Sequence, residues 1–326
     1  MTGSNQFGPL FCVALAAALF VLPVVADDSV DIEYAEIMPQ ATETILLDIT
    51  RAGNTLVAVG ERGHVVTSAD DGKTWTQAEV VPTRATLTTV FSIGERLWAG
   101  GHDAVILTSG DKGKNWTRLL YDPERNQAVM DIYFTDEAHG IAVGSYGLYL
   151  YTSDGGETWL ESRVDEESDY HLNGLVYFGD GKWLIAGEAG TSYRSYDNGE
   201  TWEAMNLDYQ GSMWGGLKTS DGCVLLYGLR GHVLQSCDFG TSWTTITTGS
   251  ESSISGAAEH DGMVLLAANG GIILIRNDSS GFRVIHHSSG VDFAAAISLG
   301  DGSFLLSGEE GVHTYPATDM GGDVNE

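Results

Sequence analysis

Five times the chain spells Ser/Thr-x-Asp-x-Gly-x-x-Trp, around Asp70 and Trp75, Asp111 and Trp116, Asp154 and Trp159, Asp197 and Trp202, and Asp238 and Trp243. The chemistry of this box is structural. The Asp and Ser/Thr oxygens can take N–H groups of a turn, the Gly accepts a positive φ, and the Trp is a large apolar wedge between layers. Calcium binding and catalysis are the weaker uses of such an Asp. The nine His show no metal-ligand spacing. His286 and His287 are adjacent and face opposite sides of a strand. His64, His102 and His232 lie in or after short turns, with no paired carboxylates or Cys close in sequence. No metal and no cofactor are expected. Of the three Cys, Cys223 and Cys237 flank the turn Gly228–Gly231 and are placed symmetrically about Arg230. A tight hairpin sets them opposite each other. A disulfide in an oxidising compartment and two free buried thiols both remain open.

These residues recur because the chain repeats. The five box Trp residues are spaced by 41, 43, 43 and 41 positions. Each box follows an apolar run ending in Gly: Val57 to Gly60, Leu97 to Gly100, Ile141 to Gly144, Leu184 to Gly187, Leu225 to Gly228. A sixth copy is degraded (Leu265 to Ala268, then Asn277, Ser279 and Phe282), and a seventh stops at Tyr315. A period near 40–45 residues with four short strands per unit is the pattern of a propeller blade. Blade three reads most clearly, with strands over Met130–Thr135, His139–Gly144 and Leu148–Thr152 and a fourth starting at Trp159. The fold class is therefore all-β, a seven-bladed propeller of four-stranded antiparallel blades over residues 27–316. The seventh unit lacks its outer strand. The alternating stretch Val30–Ala35 is expected to supply it and so to protect an edge. The Gly-rich acidic tail, 317–326, is expected to be disordered.

Charge narrows the partners. Sixteen Lys and Arg stand against 45 Asp and Glu, a net charge of −29. That excludes nucleic acid, whose phosphates need basic side chains to displace counterions. It disfavours an anionic membrane surface. Residues 1–26 carry no charged side chain, and Val24-Val25-Ala26 before Asp27-Asp28 reads as a cleavage pattern. A secretory signal peptide is expected, with an uncleaved anchor as the other reading. The protein is then exported and periplasmic, soluble or peripherally associated with a membrane.

The box in its full form, Thr152-Ser-Asp-Gly-Gly-Glu-Thr-Trp159, preceded by Asp131-Ile-Tyr-Phe-Thr-Asp-Glu-Ala-His-Gly-Ile-Ala-Val-Gly144, closely resembles the photosystem II stability/assembly-factor family. The resemblance spans residues 40–316, strongest over 57–202. It implies a lumenal-type seven-bladed propeller without enzymatic activity, a scaffold that binds a membrane-protein partner. Relatives in non-photosynthetic bacteria are exported propellers found beside resistance-nodulation-division type exporters. The photosynthetic members are known for an arginine-rich surface. With 11 Arg under a charge of −29, this chain departs from that pattern. A non-photosynthetic, cell-envelope partner follows.

In a propeller the B-to-C and D-to-A loops emerge on one face, around the channel mouth. Here the B-to-C turns are Gly-bracketed and their central residues point outward. The candidate partner-binding residues on this face are Arg62, Arg84, Arg125, Arg230, Glu61, Asp103, Tyr146, His171, Glu188 and Trp214. A solvated mixed-charge rim is the plain alternative, and an interblade core position is the alternative for Trp214. Two other functions compete with the scaffold. Sialidase-type glycosidases share the box, but bind substrate with three Arg around the channel, and none of the seven predicted innermost strands contains Arg. Asp48 and Asp131 lie on those strands as isolated carboxylates rather than an acid/base pair. A small-ligand or lipid carrier using the channel mouth is the third class.

Overall fold

The computed structural model describes residues 23–24, 32–277 and 281–316. Seven antiparallel sheets follow one another in sequence. Their innermost strands, called A, are Leu46–Ala52, Leu87–Ile93, Val129–Phe134, Leu172–Gly179, Met213–Lys218, Ile254–His260 and Phe293–Ser298. Strands B and C, and in blades one to six strand D, then step outward within each blade. This is the seven-bladed propeller expected from the repeat. Strand D begins at the box Trp only in blade three, Trp159–Ser162, and one residue later in the other four box-bearing blades.

The reason the repeat folds this way is visible in the packing. Strand B of every blade reads as a near-continuous apolar run because both its faces are covered, as in Val57–Gly60 and Gly140–Gly144. Blades therefore stack face to face, and seven separate apolar clusters result, one at each blade boundary. The boundary between blades seven and one is closed by Leu305 packed among Leu46, Ile49, Leu56 and Val66. Each strand A carries a β-bulge at its start, with the same register shift in all seven blades.

Closure differs from the expectation. Blade seven has three strands among the described residues, ending at Gly311–Tyr315. Val30 and Asp31 lie outside the described residues, and 32–35 form no strand. The chain instead runs along the outer edge of blade one. Ala35 N donates to Val81 O at 2.9 Å, Met38 N to Gln77 Oε1 at 2.8 Å, and Gln77 Nε2 to Glu36 O at 2.7 Å. It then turns through Ala41–Glu43 onto blade seven. There the close approach needs glycine: a Cβ on Gly311, at φ +93°, would sit 2.1 Å from Thr42 O. The alternating pattern of 30–35 suggested a strand; from Ala35 on, the segment takes side-chain and carbonyl partners at the edge of blade one instead.

The expected signal, apart from Pro23–Val24, and the tail 317–326 lie outside the described residues. Pro23–Val24 pairs antiparallel with Trp159 and Leu160 of blade three.

Candidate functional site

The five boxes form the same hydrogen-bonded turn. In the first, Asp70 Oδ1 accepts Thr74 N at 2.9 Å and Oδ2 accepts Thr74 Oγ1 at 2.6 Å, while Ser68 Oγ accepts Gly72 N at 2.9 Å. Asp111, Asp154, Asp197 and Asp238 repeat this pattern. These bonds hold the Asp70 and Asp238 carboxyls down at about 2. The Asp carboxylate and the Ser or Thr hydroxyl of each box are thus engaged in holding the turn. Trp75, Trp116 and Trp202 close their boxes by donating their indole N–H to the Gly carbonyl three residues back. Trp159 is fully buried, and Trp243 packs against the core of blades four and five.

The opposite face is built from seven equivalent B-to-C turns. In each, the first N–H of the turn bonds the carbonyl just before strand A: Glu61 to Ile45, His102 to Thr86, Ser145 to Ala128, Glu188 to His171, Leu229 to Ser212, Asn269 to Ser253 and Glu309 to Asp292, at 2.9–3.1 Å. The central residue sits in the left-handed region, with φ of 55° at Arg62, 59° at Asp103, 55° at Tyr146, 53° at Ala189 and 55° at Arg230. Only glycine takes this conformation without penalty. Six turns nonetheless keep a side chain there, the sixth being Glu310 at φ 61°, which the fold throws outward around the channel mouth.

The ten expected residues are all on this face, but in different states. Arg62, Tyr146 and Arg230 are exposed at the turn centres. Neither Arg62 nor Arg230 forms an ion pair among the described residues. Arg84 is committed to the N-terminal segment, at 2.6 Å from Glu36 and 3.1 Å from Tyr34 O. Arg125 is held by Asp122 at 2.9 Å and Glu161 at 2.8 Å. Tyr146, His171 and Glu188 come together across blades three and four. The Tyr146 and His171 rings meet edge to face at 5.0 Å, and His171 N donates to Glu188 Oε2 at 3.1 Å. Trp214 is half-buried at the bulge of strand A in blade five, beside the channel mouth. Glu61 and Asp103 are half-buried in their turns. Cys223 and Cys237 are joined by a disulfide, their Cα atoms 4.1 Å apart, one step beyond the Val224–Ser236 pair of the blade-five hairpin.

The channel holds chemistry that the sequence only hinted at. Asp48 Oδ1 accepts Ile49 N at 2.8 Å, and its Oδ2 accepts Val90 N of the next blade at 2.7 Å. Asp131 does the same with Ile132 N at 2.8 Å and Leu175 N at 2.7 Å. Thr89 of blade two stands between them, 3.4 Å from Asp131 Oδ1. The corresponding positions of the next three blades are Gly174, Gly215 and Gly256. Burial among the seven inner strands raises both carboxyls, Asp48 to about 6 and Asp131 to about 7, with the Asp48 charge adding to the latter. Burial also raises the Tyr227 hydroxyl, which feels both Asp. Both carboxylates retain some contact with water along the channel.

Fold and turns together define a seven-bladed β-propeller built from a repeated Asp-bearing turn, with a loop face around its channel mouth. The family model described as photosynthesis system II assembly factor YCF48 matches residues 120–300, more than half of the chain, and the chain belongs to that family. Among solved structures, YCF48 bound to D1 peptide superposes with a TM-score of 0.68 at 18% identity, covering 89% of this chain and 97% of that one. YCF48 from Cyanidioschyzon merolae gives 0.67 at 19%, covering 86% and 96%. The GH74 enzyme of Niastella koreensis gives 0.67 at 12%, covering 84% of this chain and 52% of that one. At such identities these likenesses show the fold alone. No curated protein matches the chain.

Proposed function

We propose that this protein is an exported, periplasmic, non-enzymatic scaffold that binds a membrane-protein complex of the cell envelope through its channel-mouth face. The observation that carries this reading is the ring of left-handed turns. Side chains at Arg62, Tyr146 and Arg230 are kept outward at positions where glycine would be easier, and loops on a rigid scaffold commonly carry binding. A family relative solved with a D1 peptide supports a peptide segment as the kind of ligand. The disulfide fits an oxidising compartment. Asp48 and Asp131 support no glycosidase chemistry in this reading, because both oxygens of each already accept main-chain N–H groups, Oδ1 from the next residue of its own strand and Oδ2 from the next blade. The first partner to test is a resistance-nodulation-division type exporter.

The test is an affinity pull-down from detergent-solubilised envelope with wild type and an Arg62→Glu/Arg230→Glu variant. Recovery of one membrane complex with wild type, lost with the variant, is the expected result. A partner retained by the variant removes this face from the proposal. No membrane protein retained by wild type removes the scaffold reading and turns attention to glycans and lipids.

A further inference from the structure

On the face of the Asp-bearing turns, away from the channel-mouth face, a cavity of about 700 Å³ opens between blades three and four. Three aromatic side chains line it, Tyr149, Tyr151 and Trp183, and its rim carries Asp136, His139 and Glu200. None of its lining residues is Lys or Arg. The walls are fixed. Trp183 is 2% exposed and packs edge to face on Tyr133 at 5.2 Å, and Tyr149 donates its hydroxyl to Gly199 O at 2.8 Å. Asp136 accepts the N–H groups of Ala138 at 2.7 Å and His139 at 2.9 Å and has the His139 ring Nδ1 2.9 Å from its Oδ2, contacts that hold its carboxyl below the usual range, so it is charged at neutral pH. Glu200 is exposed at the other side of the opening. The Trp183 indole N–H is buried and has no acceptor among the described residues.

We propose that this cavity binds a basic peptide segment. An arginine side chain lies against Tyr151, the one of the three rings left partly exposed, and donates to Asp136 and Glu200. The charge balance selects this class. Aromatic faces attract cations, and two carboxylates without a Lys or Arg among the lining residues repel an anion and offer a neutral ligand nothing for its charge. Guanidinium suits the site better than ammonium, because it lies flat on a ring while its N–H groups reach carboxylates in the ring plane. The volume exceeds one side chain and falls in the range of sites that enclose a few residues. A net charge of −29 draws cationic segments toward the surface. This site stands apart from the channel-mouth face, so failure of either proposal leaves the other intact.

The probe is the peptide acetyl-Gly-Arg-Gly-Arg-Gly-amide, titrated into the full chain and followed by backbone amide NMR. Shifts that saturate and map to Thr135–Gly140, Tyr149–Ser153 and Asn198–Glu200 are expected. The citrulline peptide, the same shape without the charge, should bind about tenfold more weakly. Glu200→Gln and Tyr151→Leu should each weaken the arginine peptide several-fold while melting within a few degrees of wild type. Equal binding of the citrulline peptide overturns the proposal. So does binding unchanged in both variants, shifts that map elsewhere, or a neutral disaccharide such as cellobiose saturating the cavity where the arginine peptide does not.

Discussion

The carboxylate of Asp131 crosses a blade boundary to accept the main-chain N–H of Leu175 at 2.7 Å, so blade three is tied to blade four through a group that resists ionisation where it stands. A carboxyl raised from 3.8 to about 7 binds more protons in the folded than in the unfolded chain between those values. Its contribution is therefore present at low pH and lost as pH rises through about 7. Asp131→Asn carries no charge at any pH. Its melting temperature, relative to wild type, should rise by several degrees between pH 5 and pH 8. A constant difference across that range would show that Asp131 is already ionised in the folded chain at pH 5, with no raised pKa. Burial sets this range first; the N–H of Leu175, the Asp48 charge, the N–H of Ile132 and the Thr89 hydroxyl adjust it.

Asp154→Ala removes the acceptor for Thr158 N, Thr158 Oγ1 and Thr152 Oγ1 together. The turn is exposed, so water replaces part of what is lost. A cost of roughly 1–3 kcal/mol is expected, read as a lower midpoint in denaturant unfolding. The same change at Asp111 should match it, because the two turns share their bonds.

Tyr146→Gly separates fold from binding. Relief of a left-handed tyrosine offsets the lost ring contact with His171, each about 1 kcal/mol. Stability should stay nearly level while recovery of the membrane partner falls. A protein that melts as wild type and still retains its partner would remove Tyr146 from the binding face.

Without reductant, the folded chain should take up no alkylating reagent at Cys223 or Cys237, as read by intact mass. Reduction should cost about 3 kcal/mol for a loop of 14 residues. Uptake at both residues before reduction would show two thiols.

Much of the fold was legible because the repeat is written in covalent spacing. Trp to Trp distances gave the blade period, and the apolar run ending at Gly60 or Gly144 gave strand B. What escaped is whatever depends on neighbours that only the closed ring brings together. Arg84 and Arg125 look like free cations in sequence, yet Glu36 lies 48 residues from one and Glu161 lies 36 from the other. The stretch before blade one alternates like a strand, but the edge beside Val81 and Gln77 captures it first. Asp48 and Asp131 were visible as isolated acids. Their shared environment around Thr89 appears only when blades one to three curve about one axis. Trp183, like Trp98 and Trp214 a Trp outside the boxes, marks the boundary where the cavity lies.

The segment from Ala35 to Glu43 holds both ends of the ring without pairing strand to strand. It lies across blade one, then against Gly311 of blade seven. A ring fastened this way is anisotropic under load. Tension at the C-terminal end is expected to unzip the last blade one bond at a time, beginning at Gly311–Tyr315, its outermost strand among the described residues. Tension at the N-terminal side shears the Ala35, Met38 and Gln77 bonds together. The ring is thus expected to yield first at the seventh blade when it is loaded from that end.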